Sequence, residues 1–145
     1  MMNLDLSALR KLAILQIVMA LGLIGFWVTF FTIGLAPQEP PPGYFVYELA
    51  FPFPDGCLAL SLLLAAAGIF RNRPAALYLT VASLGGLIFL GLLDLSFNWR
   101  NGIFMANPVD ATINGLINIT CVLFGSGAIF FVKQNLSDYI KRVLK

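Results

Sequence analysis

Histidine is absent from the chain. Its absence excludes imidazole ligation of haem or zinc and removes the commonest general base. Cysteine occurs only twice and never as a CxxC pair, so a thiol oxidoreductase lacks its motif. Cys57 stands at the start of the second apolar run and Cys121 near the middle of the last. At 1.5 Å per helical residue the two differ in depth by about 10 Å, whereas bridged Cα atoms lie about 4.4 to 6.8 Å apart. No disulfide is expected. Charge is scarce as well: 11% of residues are charged, where a soluble domain has about 25%. With a net charge of +2 and no basic patch, nucleic acid is excluded as a partner. No glycine-rich phosphate loop is present, and no cofactor is expected.

What fills the chain is apolar. Hydrophobic residues make up 59% of the 145, and the mean hydropathy is +0.88. Four spans of about 20 residues fit this length with short loops, leaving no room for a soluble catalytic domain. Eight of the nine basic residues (Arg10, Lys11, Arg71, Arg73, Lys133, Lys141, Arg142 and Lys145) fall in three places separated by long apolar runs. Under the positive-inside rule those places face the cytoplasm, so the number of crossings is even. The expected fold is an all-α integral membrane protein, an antiparallel four-transmembrane-helix bundle with both termini inside. A bacterial inner membrane is the default location.

One membrane domain, residues 1–145, is expected, with spans near 12–35, 56–70, 74–98 and 108–132. A Pro/aromatic-rich outer loop covers 36–55, and a short amphipathic cytoplasmic tail covers 133–145. The first run is too long for a signal-peptide core, and Pro37 after Ala36 makes a poor cleavage site, so it reads as a retained span. Pro37, Pro40, Pro41, Pro42, Pro52 and Pro54 forbid a continuous helix through the outer loop. Its segment YFVYELAFPF, residues 44–53, reads either as an interfacial aromatic belt or as a lid over an outer pocket. Ala82 and Gly86, with Gly85 and Gly91, offer a small-residue face for close helix packing. Leu136, Tyr139, Ile140, Val143 and Leu144 alternate with Lys141, Arg142 and Lys145 as an amphipathic helix on the cytoplasmic leaflet does.

Five of the seven acids (Glu39, Glu48, Asp55, Asp94 and Asp110) lie on or near the outer side, where Arg100 is the only base. Asp94 stands in an otherwise apolar run, where an unpaired carboxylate costs on the order of 2.5 to 3.5 kcal/mol. Asn98 shares its helix face, four residues on. Asp110, Asn114 and Asn118 repeat that spacing on the fourth span, so the two polar stripes are expected to meet at matching depth. Asn118 would lie roughly 12 Å below Asp110. Asp55, after Pro54, is a plausible N-cap. Arg100 either pairs with Asp94, Asp110 or Glu48 or holds an anionic group of a ligand. The candidate ligand-binding residues are thus Glu48, Asp55, Asp94, Asn98, Arg100, Asp110, Asn114 and Asn118. If a metal binds, it is a hard cation on Asp94, Asp110 and Glu48. The structural alternatives are an N-cap at Asp55 and interhelical amide bonds at Asn114 and Asn118.

The run ELAFPFPD (residues 48–55), an apolar span ending at Arg71 and Arg73, and LLDLSFNWRNGIF before the last span resemble small uncharacterised bacterial four-span membrane proteins. Some of these begin the second span with an aromatic-rich segment, a proline and an aspartate. The resemblance implies span order and carries no activity. Three functions fit. One is binding or transport of a cation or a polar or cationic small ligand, with a homo-oligomer forming any pathway. Another is an accessory subunit of a larger membrane complex. The third is a small membrane enzyme using paired carboxylates, although Ser96 beside Asp94 has no recognisable base.

Overall fold

A computed structural model describes residues 6–143. Its elements are α1 (Leu6–Ile33), α2 (Tyr44–Glu48), α3 (Pro52–Phe70), α4 (Ala75–Arg100), α5 (Ile103–Ala106) and α6 (Pro108–Val143). The described residues contain no strand. Four stretches, Ser7–Ile33, Tyr44–Phe70, Ala75–Arg100 and Pro108–Ser137, are long and apolar enough to cross a membrane. Ile14, Leu15, Val18, Leu21, Ile24 and Phe31 of α1 are exposed, as are Leu116, Leu123 and Phe130 of α6. Apolar faces of this extent suit hydrocarbon rather than water.

α1 packs on α3, α3 on α4, and α4 on α6. Trp27, near the end of α1, meets Asp55 at the start of α3, and Tyr139, late in α6, meets Arg73 just before α4. These neighbours therefore run in opposite senses. One end of the bundle carries Asp55 and Asp94, called here the acidic end; the other carries Arg71 and Arg73.

The turn at the basic end is built by local rules. Asn72 takes the left-handed conformation, with φ 52°. The amides of Asn72 and Arg73 donate to the carbonyls of Ile69 and Gly68, at 3.1 and 2.9 Å, which closes α3 in a Schellman motif. Pro74 follows at the N-cap of α4. At the other end, Asn107 is extended, with φ −144° and ψ 128°, as a residue before proline prefers. Its Oδ1 accepts the Val109 amide at 2.8 Å, capping α6 with Pro108 in the first helical position.

Several boundaries differ from expectation. α3 begins at Pro52 rather than near residue 56, with Phe51 as N-cap. First-turn amides need no intrahelical acceptor, so Pro52 and Pro54 fit there. Asp55 is consequently displaced from the N-cap into the helix, where its own amide donates to the Phe51 carbonyl at 2.8 Å. The loop 36–55 is partly helical, because α2 forms after Gly43, whose φ of 82° suits a glycine. α1 begins before Arg10 and Lys11 and encloses both. α6 runs unbroken past residue 133, and Tyr139 is buried with its hydroxyl donating to the Arg73 carbonyl at 2.8 Å. This part of the tail therefore docks on the α3–α4 turn. Leu144 and Lys145 lie outside the described residues, as do the side chains of Ile140, Arg142 and Val143.

The helix interfaces combine close backbone approach with polar pairs. A Cβ at Gly91 would lie 2.7 Å from the Asn118 carbonyl oxygen, and one at Gly125 would lie 2.9 Å from that of Leu84. α4 and α6 thus meet backbone to backbone. Gly86 faces Leu58 of α3, whereas Ala82 and Gly85 are exposed, so the small-residue face divides between two interfaces and open surface. Gln16 and Thr80, both fully buried, are joined by a 3.3 Å hydrogen bond. The Ser83 hydroxyl donates to that of Ser61 at 2.8 Å. Cys57 is exposed, Cys121 is buried, and both are free.

Candidate functional site

The acidic end is capped by aromatic side chains. Trp27, Phe30, Tyr44 and Ile103 form a buried cluster that Phe26, Leu35, Phe51 and Phe97 extend. Within this cap the Tyr47 ring stacks on that of Phe97 with centroids 3.8 Å apart and planes 4° apart. The stack carries α2 across the end of α4. Val46 and Phe45, on the other side of α2, are exposed. The aromatic segment is thus a lid on one face and an apolar surface on the other.

Beneath the lid is a cavity of about 360 Å³. Carboxyl groups reach it from three elements: Glu48 from α2, Asp55 from α3 and Asp94 from α4. Asn98, Asn114 and Asn118 add three amides. Most of the remaining wall is apolar, including Met19, Leu23, Phe26, Leu90 and Ile117, and no lining residue is basic.

Each aspartate is held by one aromatic donor. The Tyr47 hydroxyl donates to Asp94 Oδ1 at 2.8 Å, and Trp27 Nε1 donates to Asp55 Oδ2 at 2.9 Å. Glu48 stands one turn on from Tyr44 on α2. A single neutral donor orients a carboxyl group and leaves most of its acceptor capacity open. Asn98 and Asn118 are 4% and 2% exposed. Asn118 Nδ2 is buried without a hydrogen-bond partner. Asn114 instead donates to the Asp110 carbonyl of its own helix at 2.9 Å.

Six of the eight expected residues therefore line one cavity. Asp110 does not. Its Oδ2 accepts the Gln38 amide at 3.2 Å, and it borders a separate small recess with Pro37, Tyr44 and Ile113. The expected meeting of the two stripes is thus corrected at Asp110, which accepts the Gln38 amide instead, while Asn114 and Asn118 share the cavity with Asp94 and Asn98. Arg100 ends α4, exposed, lines no part of the cavity, and has no ion-pair partner among the described residues. Among the described residues no three acids stand close enough together to hold a metal ion. Ser96 is exposed and outside the cavity.

Trp27 and Tyr47, the partners of Asp55 and Asp94, and Tyr44 beside Glu48 are not marked as such in the sequence. The only signal for them was the density of rings beside Glu48. Four residues of spacing on α2 pair Tyr44 with Glu48, but nothing in the sequence ties Tyr47 to a residue 47 positions away. No protein family, curated protein or solved structure matches this chain.

Proposed function

We propose that the chain is a membrane-embedded binding protein whose cavity takes a small organic cation or polar molecule, presented at the outer side of a bacterial inner membrane. The observation that carries this reading is the convergence of Glu48, Asp55 and Asp94 on one cavity that no basic side chain lines. Carboxyl groups at membrane depth need a counter-charge or a proton, and an ammonium group bound among them supplies the first. No three acids among the described residues stand close enough to share a metal ion, which favours an ammonium group, with its longer contacts and three N–H donors, over a bare metal ion.

The orientation follows the distribution of bases, with both termini and the Arg71–Arg73 turn in the cytoplasm. A reporter at the C-terminus is expected to be active only inside the cell; activity only outside would reverse the bundle. The ligand class is tested by the melting temperature of the purified protein against alkylamines from methylamine to octylamine, with Na⁺, Mg²⁺ and Ca²⁺ alongside. A ligand at a hundred times its Kd adds about 2.7 kcal/mol of stability. An amine is expected to raise the wild-type melting temperature and to lose that effect in Asp94→Asn, which keeps an oxygen to accept from Tyr47 and is expected to retain a cooperative melt. An amine response unchanged in Asp94→Asn, or none in either, would make the acids structural and favour an accessory role in a larger complex.

A further inference from the structure

The bundle has an open side. α1 packs on α3 and α6 packs on α4, and the cavity lies along the remaining seam, between Val18 and Gly22 of α1 and Leu116 and Thr120 of α6. Val18 and Leu116 are 56% and 63% exposed. Gly22 stands eleven residues from Ile33, the last of α1, or roughly 16 Å from that helix end at 1.5 Å per residue. Such depth is hydrocarbon in a bilayer about 30 Å thick. The seam therefore opens toward lipid, while the aromatic lid covers the acidic end.

The second observation is Asn118. It lines the cavity at 2% exposure, and its Nδ2 has no partner, a cost of about 1 to 3 kcal/mol for a buried donor. Its backbone abuts Gly91, three residues before Asp94 on α4, and its side chain lines the same cavity as the three acids. A ligand whose amine meets the acids and whose chain follows the seam satisfies this donor if it carries an acceptor near its head.

Resting on the reading of the cavity as a cation site, we infer that its ligand is a single-chain amphiphile taken up sideways from the bilayer. Its ammonium group lies among Asp94, Asp55 and Glu48, a carbonyl or ether oxygen accepts from Asn118 Nδ2, and its apolar tail lies between α1 and α6. A phosphodiester beside the amine would face three carboxyl groups, so a zwitterionic phospholipid fits poorly.

The test uses full-length protein in nanodiscs and radiolabelled N-lauroylethylenediamine, which has a terminal amine, an amide carbonyl and an apolar tail in that order. Saturable binding of one molecule per chain is expected, absent from empty nanodiscs. N-Lauroylethanolamine, lacking the charge, is expected to bind at least about tenfold more weakly. N-Acetylethylenediamine, lacking the tail, is expected to bind at least about a hundredfold more weakly, since each buried CH₂ is worth about 0.8 kcal/mol. Asn118→Leu is expected to weaken binding about tenfold. Gly22→Leu is the cleanest variant: a Cβ there meets nothing within 4 Å, so the fold is expected to keep its melting temperature while the added side chain fills the seam and abolishes binding. Full binding in Gly22→Leu would overturn the seam as the route. Equal affinity for the acetyl and lauroyl amines would overturn the amphiphile and leave the cation site standing. Saturable binding of neither amine would overturn both.

Discussion

Gly91→Leu is expected to destabilise the bundle by about 3 kcal/mol or more, the upper range for overpacking a close interface. The contact it breaks is backbone to backbone. A Cβ at this position would lie 2.7 Å from the Asn118 carbonyl oxygen, 2.9 Å from Val122 and 3.0 Å from the Cys121 Cβ, and no rotamer of leucine avoids all three. α4 and α6 must separate, which also moves Asn118 and Asn114 away from Asp94. Gly85→Leu is the matched control, since a Cβ there meets nothing within 4 Å and it is expected to leave stability unchanged. Equilibrium unfolding of both variants in mixed detergent micelles reads the difference. Equal midpoints would show that α4 and α6 do not meet at Gly91.

Tyr47→Ala is expected to cost about 2 to 4 kcal/mol, from two separable losses: a hydrogen bond to a carboxyl group and an aromatic stack. The ring lies flat on Phe97, and the hydroxyl meets Asp94 Oδ1 at 2.8 Å. Tyr47→Phe keeps the stack and loses only the hydrogen bond, so it is expected to cost about half as much. The pair of variants also asks what holds the lid. If stacking holds α2 over the cavity, proteolysis in residues 37–43 accelerates in Tyr47→Ala and not in Tyr47→Phe. Equal acceleration in both would place the whole attachment in the hydroxyl.

Both expectations bear on how much of this molecule the sequence discloses. The long helices are legible because hydrocarbon selects unbroken apolar runs, and prolines at residues 74 and 108 mark two helix starts that the structure keeps. Asp94 with Asn98, and Asn114 with Asn118, are legible as stripes because residues four apart share a helix face. Periodicity identifies a face, however, and not its neighbour. The order α1, α3, α4, α6 around the bundle decides that Asp94 meets Tyr47 and that Asp110 meets the Gln38 amide, and that order arises from side-chain shape at interfaces such as Gly91 against Asn118. Small residues illustrate the point: Gly86, Gly91, Ala82 and Gly85 read alike in sequence, yet only the first two are opposed by a neighbouring helix. The proline-rich stretch misleads differently. Proline forbids helix interiors but suits a first turn, so α3 begins earlier than its polar marker Asp55 suggests.

The fold thereby joins elements with separate roles. Gln16 with Thr80 and Ser61 with Ser83 satisfy each other across helices, as polar groups in a membrane must. Asn118 Nδ2 does not follow that rule, and neither do Asp55 and Asp94, each held by one neutral aromatic donor. That incomplete satisfaction, concentrated at a single cavity, is an observation on which the proposed binding role rests.

The most direct measurement is side-chain carboxyl NMR of isotopically labelled protein in nanodiscs, titrated with octylamine against octanol as a neutral reference. The expected result is a saturable change at Asp94, Asp55 and Glu48 with octylamine alone, while Asp110 and Glu39 stay unmoved. Unsaturable changes, or equal changes at Asp110 and Glu39, would contradict a cation site in this cavity.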